Sequence, residues 1–407
     1  MKQNQDPENS IVLLLPPNEV ADVNFMPEVS IVVPALNEEI TIGEFVDWCW
    51  EGLSKAEVSG EIIIVDSSSD ATPVIALQKG ARVLKTPKRG LGQAYLDSIP
   101  YIRGQFIIMG DCDLTYDFRN IKVFIDSYHN GNDFVMGSRF RGSIEKNAMP
   151  LLHRYFGTPL TTWILNKIYR SKFSDIHCGM RGLTKDALIE INLTSRGWEY
   201  ASEMVLKAAR LRLKIDEVPV SFYKDREGRF SHHKRAGFWS PWVAGWINLK
   251  VMLVYSPDSF LIKPGIAFMI FGLFSSIALS FGAIQIASFG FDMHWMLVGL
   301  SSAVLGYALF QTGIFSRIFH GFRSGIEIKL SNFLTYDRGM VLAGTLVATG
   351  SIFDALFVWG YIKSNFLAID YSHIAVLGLL FIVLGIQTFS FTLVLELMRR
   401  LKVKESL

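Results

Sequence analysis

The sequence has 407 residues, of which 50% are hydrophobic and 13% aromatic, and its mean hydropathy of +0.28 is too high for a wholly soluble enzyme. We therefore expect part of the chain to lie in a membrane. The net charge of +2 is too small to indicate a nucleic-acid partner. Three cysteines without CxxC spacing argue against a disulfide or zinc framework and favour a reducing compartment.

The chain begins with a polar segment broken by prolines, residues 1–27, which we expect to be a loosely ordered arm without a cleaved targeting signal. From residue 29 onward, short apolar runs alternate with segments long enough for helices. The runs lie at 29–33, 61–65, 81–84 and 105–109. This alternation predicts an α/β fold with a parallel sheet and right-handed crossovers.

Two carboxylates, Asp111 and Asp113, directly follow the fourth of these runs. A buried parallel strand that ends here puts both carboxylates at the carboxyl edge of the sheet, where open α/β folds bind ligands. Carboxylate oxygens suit Mg²⁺ or Mn²⁺, which bridge to the phosphates of a substrate. Because Asp-x-Asp is also common as an ordinary strand-end turn, the neighbouring loops decide between the two interpretations.

Three strand-end loops together resemble those of the inverting family-two glycosyltransferases, which have the GT-A fold. The first loop runs from Val33 to Glu38, the second from Val65 to Thr72, and the third holds the two aspartates. In that family the first two loops hold the nucleoside and the third holds a metal ion under the diphosphate. The resemblance implies nucleotide-sugar contacts from Pro34, Ala35, Leu36, Asn37, Glu38, Asp66, Ser68, Asp70, Asp111 and Cys112.

Two details of these loops are open to another interpretation. Asn37 and Glu38 could instead cap the helix that follows them. The family often has a glutamine two residues after the second aspartate, and Thr115 stands there in this chain. The resemblance therefore implies Asp111, Asp113 and Thr115 as metal ligands, with Asp117 as a possible substitute for Thr115.

Two further strings narrow the resemblance to the polyprenyl-phosphate glycosyltransferases, the group that includes dolichyl-phosphate mannose synthase. They are Arg89-Gly90-Leu91-Gly92-Gln93-Ala94-Tyr95 and Val135-Met136-Gly137-Ser138-Arg139-Phe140. A glycine such as Gly92 allows a helix start to approach phosphate closely, and Arg139 offers a planar fork for an anion.

The acceptor site follows from the same resemblance. Arg154 comes after Arg139, and Thr158 lies one helical turn beyond Arg154. In the family an arginine and a small hydroxyl residue at this spacing bind the phosphate of the acceptor lipid. The resemblance thus implies an acceptor-phosphate site of Arg139, Arg154 and Thr158, and a catalytic set of Asp111, Asp113 and Arg139.

Later motifs are less specific. The segment from Ser174 to Arg181 resembles the family's Asp-x-x-x-Gly-Phe-Arg loop, which we interpret as structural. Glu203 is expected near the sugar or at a helix end, with a solvated helix face as the alternative. Arg226 and Ser231 belong to a segment that resembles the family's juxtamembrane lid over the diphosphate, with His232 at its lysine position.

From residue 236 the chain becomes apolar and aromatic. Trp239, Trp242 and Trp246 recur at helical spacing, which predicts an interfacial helix at the lipid headgroups, with a core stripe as the alternative. Four apolar stretches follow. Each is long enough to cross a bilayer, and they lie at 264–287, 294–318, 339–362 and 373–397.

Lysine and arginine residues are concentrated in alternate connections between these stretches. The connection 317–338 and the tail each contain four of them, whereas 288–293 and 363–372 contain only Lys363. The positive-inside rule therefore predicts that both termini and the catalytic domain are cytoplasmic. The predicted domains are an arm (1–27), a GT-A catalytic domain (28–235), juxtamembrane interfacial helices (236–262), four transmembrane helices (263–398) and a basic tail (399–407).

The resemblance implies transfer of glucose or mannose from a UDP- or GDP-hexose to a polyprenyl or dolichyl phosphate, with inversion. A lipid phosphate has a second pKa of about 6 and is already anionic, so this reaction needs no dedicated base. One alternative is a processive polysaccharide synthase, although the chain lacks that family's Gln-x-x-Arg-Trp string. Another is a non-enzymatic lipid-handling partner, against which the complete aspartate pair and Arg139 argue. We also expect a homo-oligomer.

Overall fold

The computed structural model describes residues 10–17, 26–169, 171–226, 228, 250, 253–319, 333–365 and 372–405. The chain divides into two compact units, Met1–Met252 and Leu253–Leu407. The first unit contains a large β-sheet with helices, and the second contains four long apolar helices.

The first unit is built on one eight-stranded sheet with the strand order β1-β4-β3-β2-β5-β7-β6-β8. Its principal elements are, in chain order, β1 (Val12–Leu14), β2 (Val29–Ala35), α1 (Ile42–Ala56), β3 (Gly60–Asp66), α2 (Thr72–Gln78), β4 (Arg82–Lys85), α3 (Leu91–Ser98), β5 (Phe106–Met109), α4 (Lys122–His129), β6 (Phe134–Ile144), α5 (Thr158–Tyr169), β7 (Arg181–Thr184), α6 (Lys185–Ile191), α7 (Tyr200–Leu211) and β8 (Ile215–Phe222).

The central strands are covered on both faces, which explains why their sequences are unbroken apolar runs. Val32 in β2, Ile63 in β3 and Ile108 in β5 are fully buried. β2 pairs in parallel with β3 and with β5, and β3 pairs in parallel with β4. The predicted parallel α/β core is thus confirmed, and the carboxyl ends of these strands meet at one edge.

The sheet is not parallel throughout, because β7 runs opposite to both of its neighbours, β5 and β6. After β6 the chain forms a π-helical turn, His153–Gly157, and then α5. It enters β7 from the edge at which β5 and β6 end, without a crossover to the opposite edge, so β7 runs antiparallel to both. Met109 consequently pairs with Arg181, and the start of β7 lies beside the end of β5.

The prediction of a loosely ordered arm over residues 1–27 was wrong for part of that segment. Val12–Leu14 forms β1, which pairs antiparallel with β4 at the edge of the sheet. Its three apolar residues are too few to indicate a strand by themselves. The open edge of β4 supplies the backbone partners that fix them.

The second unit confirms four helices that are long and apolar enough to cross a membrane. They span Asp258–Leu279, Met293–Phe319, Tyr336–Lys363 and Ser372–Arg400. The predicted end of the first span, at residue 287, was wrong. That helix stops at Leu279, and a hairpin of two short strands, Ile284–Ile286 and Phe289–Phe291, follows it. Gly282 adopts a φ of +115°, which helical backbone does not allow.

Small residues allow the membrane helices to approach closely. A Cβ atom at Gly272 of the first helix would lie 2.2 Å from the backbone nitrogen of Ala303 in the second. Close backbone approach of this kind replaces the hydrophobic driving force that is missing between helices in lipid. The tryptophans of the predicted interfacial helix lie outside the described residues.

Candidate active site

The first two strand-end loops are tied together by hydrogen bonds. The backbone nitrogen of Asn37 donates to Oγ of Ser68 at 2.7 Å, and the backbone nitrogen of Ser69 donates to Oδ1 of Asn37 at 3.0 Å. Asn37 adopts a φ of 57°, a left-handed conformation that asparagine tolerates better than most residues. The two predicted nucleotide loops therefore lie side by side, and the Asn37 side chain links them instead of capping α1.

Glu38 and Asp70 give these loops their shape. The backbone nitrogen of Glu38 donates to Oγ1 of Thr72 at 2.9 Å, and its carboxylate accepts from the hydroxyl of Thr41 at 3.1 Å. Oδ1 of Asp70 accepts from the backbone nitrogen and the hydroxyl of Thr72. Burial alone would raise the pKa of Asp70, but the hydrogen bonds from Thr72 lower it below its usual value. Helix α1 begins without a side-chain cap.

Asp66, at the end of β3, is fully buried and paired. Its Oδ2 accepts from Nζ of Lys85 at 2.6 Å, and its Oδ1 accepts from the backbone nitrogen of Ser68 at 3.2 Å. Lys85 also donates to the carbonyl oxygen of Ser68 at 2.7 Å. The sequence-based prediction missed Lys85, although a cation at the end of the next parallel strand was the available signal.

The two aspartates of the third loop lie, as predicted, at the carboxyl end of β5. Oδ1 of Asp113 accepts from the backbone nitrogen of Thr115 at 3.0 Å and from its hydroxyl at 2.5 Å. Thr115 therefore orients Asp113, and its own role as a metal ligand stays a prediction. Within the described residues, no three His, Cys, Asp or Glu side chains form a ready-made metal cluster. Two carboxylates suit a hard cation that takes its other ligands from a diphosphate and water.

Asp117, the possible substitute ligand, is already hydrogen-bonded to two other side chains. Its carboxylate accepts from Nε of Arg119 at 2.7 Å, from Nη2 of Arg119 at 2.9 Å and from the hydroxyl of Tyr223 at 2.9 Å. Burial opposes ionisation, but these hydrogen bonds lower the pKa of Asp117 below its usual range. The structure therefore does not support Asp117 as a metal ligand in place of Thr115.

Three buried tyrosines surround Asp111. Burial raises the pKa of Tyr95, Tyr116 and Tyr200, and the negative charge of Asp111 raises it further. All three hydroxyls therefore stay protonated at neutral pH. The hydroxyl of Tyr95 donates to the carbonyl oxygen of the residue before Asp111, at 3.1 Å. Gly179 leaves room for the carboxylate, because a Cβ there would lie 2.6 Å from Oδ2 of Asp111.

Arg139 is almost fully buried and forms a two-point ion pair with Asp175. Its Nε and Nη2 lie 2.7 and 2.9 Å from the two carboxylate oxygens. Asp175 belongs to the segment from Ser174 to Arg181, called here the Asp175 loop. Glu217 holds this loop in place, because its carboxylate accepts from the backbone nitrogens of Ser174 and Asp175. The structure thus supports the interpretation of the Asp175 loop as structural. A phosphate at Arg139 would have to use the Nη1 edge, which makes no hydrogen bond to any described residue.

Arg154 lies in the π-helical turn His153–Gly157, and Thr158 is the first residue of α5. Thr158 is buried, and the guanidinium of Arg154 lies 5.6 Å from the ring centroid of Tyr155. Within the part of the chain that the structure describes, no carboxylate pairs with Arg154. Single π-helical turns in α-helices occur frequently at functional sites.

The glycines before α3 make backbone contacts. The backbone nitrogens of Gly92 and Gln93 donate to the carbonyl oxygens of Gly197 and Arg196, at 3.2 and 3.0 Å. A Cβ at Gly92 would lie 2.2 Å from the carbonyl oxygen of Ser195. The amide of Gly92, predicted to face phosphate, is therefore already used in this conformation.

Glu203 is fully buried and supports the same loop. Its carboxylate accepts from the backbone nitrogens of Thr194 and Ser195 and pairs with Lys207 at 2.6 Å. Burial would raise the pKa of Glu203, but the hydrogen bonds from Lys207 and Ser195 lower it below its usual value. Glu203 lies in the first turn of α7, which confirms the predicted position at a helix end, and its burial rules out the solvated face. A place near the sugar stays a prediction.

Arg226, at the start of the predicted lid, forms a hydrogen-bonded ion pair with Glu44 in the first turn of α1. Both side chains are exposed, so this pair alone contributes little to stability. It does set the end of β8 beside the helix that follows the first nucleotide loop. Ser231 and His232 lie outside the described residues.

Comparison with known proteins assigns the family. Residues 30–191 match the glycosyl transferase family 2 domain, and residues 314–399 match the C-terminal transmembrane region of glycosyltransferase family 2. The low-salt glycan biosynthesis hexosyltransferase Agl6 of Haloferax volcanii is 31% identical over 372 residues, which cover 90% of this chain and 88% of the relative. The chain belongs to glycosyltransferase family 2.

Other similarities are more partial. A dolichyl-phosphate hexose transferase of Haloferax volcanii is 28% identical over 204 residues, covering 49% of this chain and 85% of the relative. The crystal structure of glucosyl-3-phosphoglycerate synthase from Mycobacterium tuberculosis in complex with Mn²⁺, UDP and glucosyl-3-phosphoglycerate has 19% identity and a TM-score of 0.44. It covers 56% of this chain and 80% of that one.

This family-two glycosyltransferase is therefore an enzyme with a GT-A catalytic domain and a transmembrane region. The non-enzymatic alternative is not supported. The geometry brings the two predicted nucleotide loops together, and it puts Asp111 and Asp113 at the end of the neighbouring strand β5. The sequence-based prediction missed Lys85, the three tyrosines and the pairing of Arg139 with Asp175, because each depends on residues distant along the chain.

Proposed function

We propose that this glycosyltransferase transfers a hexose from a nucleotide sugar to a polyprenyl or dolichyl phosphate. The observation that carries the proposal is Arg154, an arginine without a carboxylate partner among the described residues, on a helical segment with an exposed apolar surface. A guanidinium without a counter-ion is suited to a phosphate, and the surface beside it is suited to the lipid chain.

The apolar surface beside Arg154 consists of five large side chains that are all well exposed. Its side chains are 56% to 72% exposed, and they belong to Leu151, Leu152, Tyr155, Phe156 and Trp163. Aromatic and aliphatic side chains next to basic residues are typical of helices that lie at a lipid interface. Arg154 stands among them, so a phosphate bound to it would have its lipid tail beside apolar side chains.

The chemistry requires positioning more than proton transfer. An anionic phosphate oxygen attacks the anomeric carbon, a new bond from carbon to oxygen forms on one face, and the bond to the nucleoside diphosphate breaks on the other. Attack from the opposite face inverts the anomeric centre. Arg154 and Thr158, with the Nη1 edge of Arg139, would orient the attacking phosphate.

The donor side lies at the carboxyl ends of four strands, β2, β3, β4 and β5. The loops at Asn37 and Asp66 are suited to a nucleoside, and Lys85 places a cation beside them. A divalent cation bound at Asp111 and Asp113 would stabilise the charge of the departing diphosphate. The hexose and the dolichyl phosphate are supported by the names of the Haloferax relatives, a hexosyltransferase and a dolichyl-phosphate hexose transferase.

The membrane arrangement is part of the proposal. We infer that the catalytic domain and both termini are cytoplasmic, because the basic residues are concentrated in alternate connections. A homo-oligomer is also proposed. A reporter domain fused after the last residue, scored for accessibility in intact cells, tests the orientation, and a reporter found outside would overturn it.

The experiment that tests the function uses the full chain in detergent with a short polyprenyl phosphate. Labelled UDP-glucose, UDP-N-acetylglucosamine, GDP-mannose and other donors are tried in turn, with and without Mg²⁺ or Mn²⁺. The expected result is a single labelled glycolipid from one or two hexose donors, formed only with metal and with the lipid phosphate. A product that grows with time into a long polymer would instead favour the processive synthase.

A further inference from the structure

A chain of hydrogen bonds connects Arg139 to the helical turn that carries Arg154. It begins at Asp175, which is fully buried and pairs with the guanidinium of Arg139 at 2.7 and 2.9 Å. Oδ1 of the same carboxylate also accepts from the backbone nitrogen of His177, at 3.2 Å. The position of Arg139 is therefore fixed by the loop that contains His177.

The His177 ring continues the connection into α5. Its Nε2 lies 2.8 Å from the hydroxyl oxygen of Thr161. That oxygen also lies 2.8 Å from the carbonyl oxygen of Gly157 and 3.1 Å from that of Thr158. Both carbonyls can only accept the single proton of this hydroxyl, so the Thr161 hydroxyl bonds to the helix and to the imidazole at the same time only when Nε2 carries the ring proton.

The far end of this chain is the turn that holds Arg154. Gly157 is the last residue of the π-helical turn His153–Gly157. A hydroxyl bound to the Gly157 carbonyl fixes that turn, which lacks the regular hydrogen bonds of an α-helix. Through Thr161 and His177, the turn is held at a set distance from the Asp175 loop and hence from Arg139.

We propose that His177 is a positioning residue for the acceptor phosphate, which sets the separation between Arg139 and Arg154. The inference rests on the proposed function, since it gives the two arginines one shared ligand. Two cations on different elements can bind one phosphate together only if their spacing matches it. Neutral imidazole is suited to this task, because it donates one directional hydrogen bond without adding a charge beside Arg139.

The neutral state is supported by the surroundings of the ring. Burial is the main cause that lowers the pKa of His177 to about 4; Asp175 opposes this shift, and the charges of Arg139, Arg181 and His153 add to it. The imidazole is therefore uncharged at neutral pH, and its N–H remains directed at Thr161.

The test compares acceptor and donor KM values for four single variants of the full-length enzyme in detergent. His177→Leu and Thr161→Val remove the hydrogen bond from either side. His177→Gln keeps an N–H at about the reach of Nε2. Thr162→Val is the matched control, because the neighbouring Thr162 hydroxyl is buried and has no hydrogen-bond partner within the described part of the chain.

We expect His177→Leu and Thr161→Val each to raise the KM for polyprenyl phosphate by about three- to tenfold, the effect of one hydrogen bond, and to leave the donor KM within about twofold. A fifth protein that combines His177→Leu with Thr161→Val should show no further rise in the acceptor KM, because both changes remove the hydrogen bond between these two side chains. His177→Gln should recover most of the acceptor KM, and Thr162→Val should match the wild type.

The outcomes separate this inference from the function on which it rests. A wild type that transfers no hexose to any polyprenyl phosphate overturns both. If the wild type is active and His177→Leu and Thr161→Val leave the acceptor KM unchanged, or raise donor and acceptor KM equally, only the positioning role is wrong. Thr161→Val is nearly isosteric, so it decides the question even if His177→Leu does not fold.

Discussion

Nζ of Lys85 lies 2.6 Å from Oδ2 of the fully buried Asp66, beside the two loops that we propose bind the nucleotide. The two residues belong to neighbouring parallel strands, and each is the last residue of its strand. The Lys85 side chain is 40% exposed, so one side of the pair stays open to a ligand. A nucleotide base at this edge would meet a carboxylate and an ammonium together.

We predict that Lys85→Met raises the KM for the nucleotide sugar by about tenfold or more and lowers the free energy of unfolding by roughly 1–3 kcal/mol. The reason for both is that the variant leaves the Asp66 carboxylate buried without its partner. The acceptor KM should not change. Initial rates at varied donor and acceptor, with thermal unfolding in detergent, measure these quantities.

Lys79→Met is the matched control for Lys85→Met. Lys79 pairs with Asp47 at the same distance of 2.6 Å and is about as exposed as Lys85, but the Asp47 carboxylate is 53% exposed whereas that of Asp66 is fully buried. Exposed pairs contribute at most about 1 kcal/mol, so this variant should resemble the wild type in stability and kinetics. Equal effects of the two variants would contradict a special role for the pair of Lys85 and Asp66.

The second prediction concerns the proposed metal site. Asp113→Asn should abolish transfer while the protein still folds, because it removes one anionic ligand at nearly constant volume. Thr115→Val should retain partial activity and need more metal, because the Asp113 carboxylate loses the hydroxyl that orients it at 2.5 Å. Activity titrated with Mn²⁺ and Mg²⁺ measures both effects. Near-normal turnover of Asp113→Asn at saturating metal would show that Asp113 is not a ligand.

A third prediction concerns pH. The pKa of His177 is about 4 in the folded protein, against about 6.5 in an unfolded chain, chiefly because of burial. Between these values the unfolded chain binds a proton that the folded protein does not. Unfolding therefore becomes easier as pH falls from 6.5 to 4, by roughly 3 kcal/mol in total, and the contribution is fully present above pH 6.5.

The measurement is the difference in thermal unfolding between the wild type and His177→Gln across this pH range. Glutamine does not titrate, so the other acidic and basic groups cancel in the difference. The wild type should lose stability relative to the variant as the solution becomes more acidic. Parallel pH profiles for the two proteins would show that the imidazole is not held neutral in the fold.

Local signals in the sequence were sufficient for the parallel core and the four membrane helices. Unbroken apolar runs such as residues 61–65 indicate strands that are covered on both faces, and long apolar stretches indicate membrane helices. The reversed strand β7 was not predictable in this way. Its direction depends on α5 and the Asp175 loop remaining at one edge of the sheet, which only the folded chain reveals.

The candidate site likewise contains features that local sequence signals predict and features that they do not. The position of the Asp111 and Asp113 pair could be predicted because both residues follow one apolar strand and stand beside two further strand-end loops of matching spacing. Asp66 and Lys85 are 19 residues apart, and Arg139 and Asp175 are 36 apart, so neither ion pair has a local pattern. An aspartate at a strand end indicates a site, but its partner determines whether it binds a base, a metal or another side chain.

The last prediction concerns the acceptor. Arg154→Ala should raise the KM for polyprenyl phosphate by about ten- to a hundredfold, equivalent to roughly 1.5–3 kcal/mol for a charge-assisted contact, and should spare the donor KM. Arg154→Lys should recover only part of the loss, because an ammonium lacks the planar fork. Thr158→Ala should have a smaller effect, near one neutral hydrogen bond of roughly 0.5–1.5 kcal/mol.

Lys167→Ala is the control for Arg154→Ala, because Lys167 is an exposed cation in the last turn of α5, about 20 Å along the helix from Arg154. If the effect of Arg154→Ala came only from lost positive charge on this helix, both variants would raise the acceptor KM. A specific phosphate contact predicts that Lys167→Ala behaves as the wild type. If Arg154→Ala instead weakens nucleotide-sugar binding and leaves the acceptor KM unchanged, Arg154 belongs to the donor diphosphate and the acceptor site lies elsewhere.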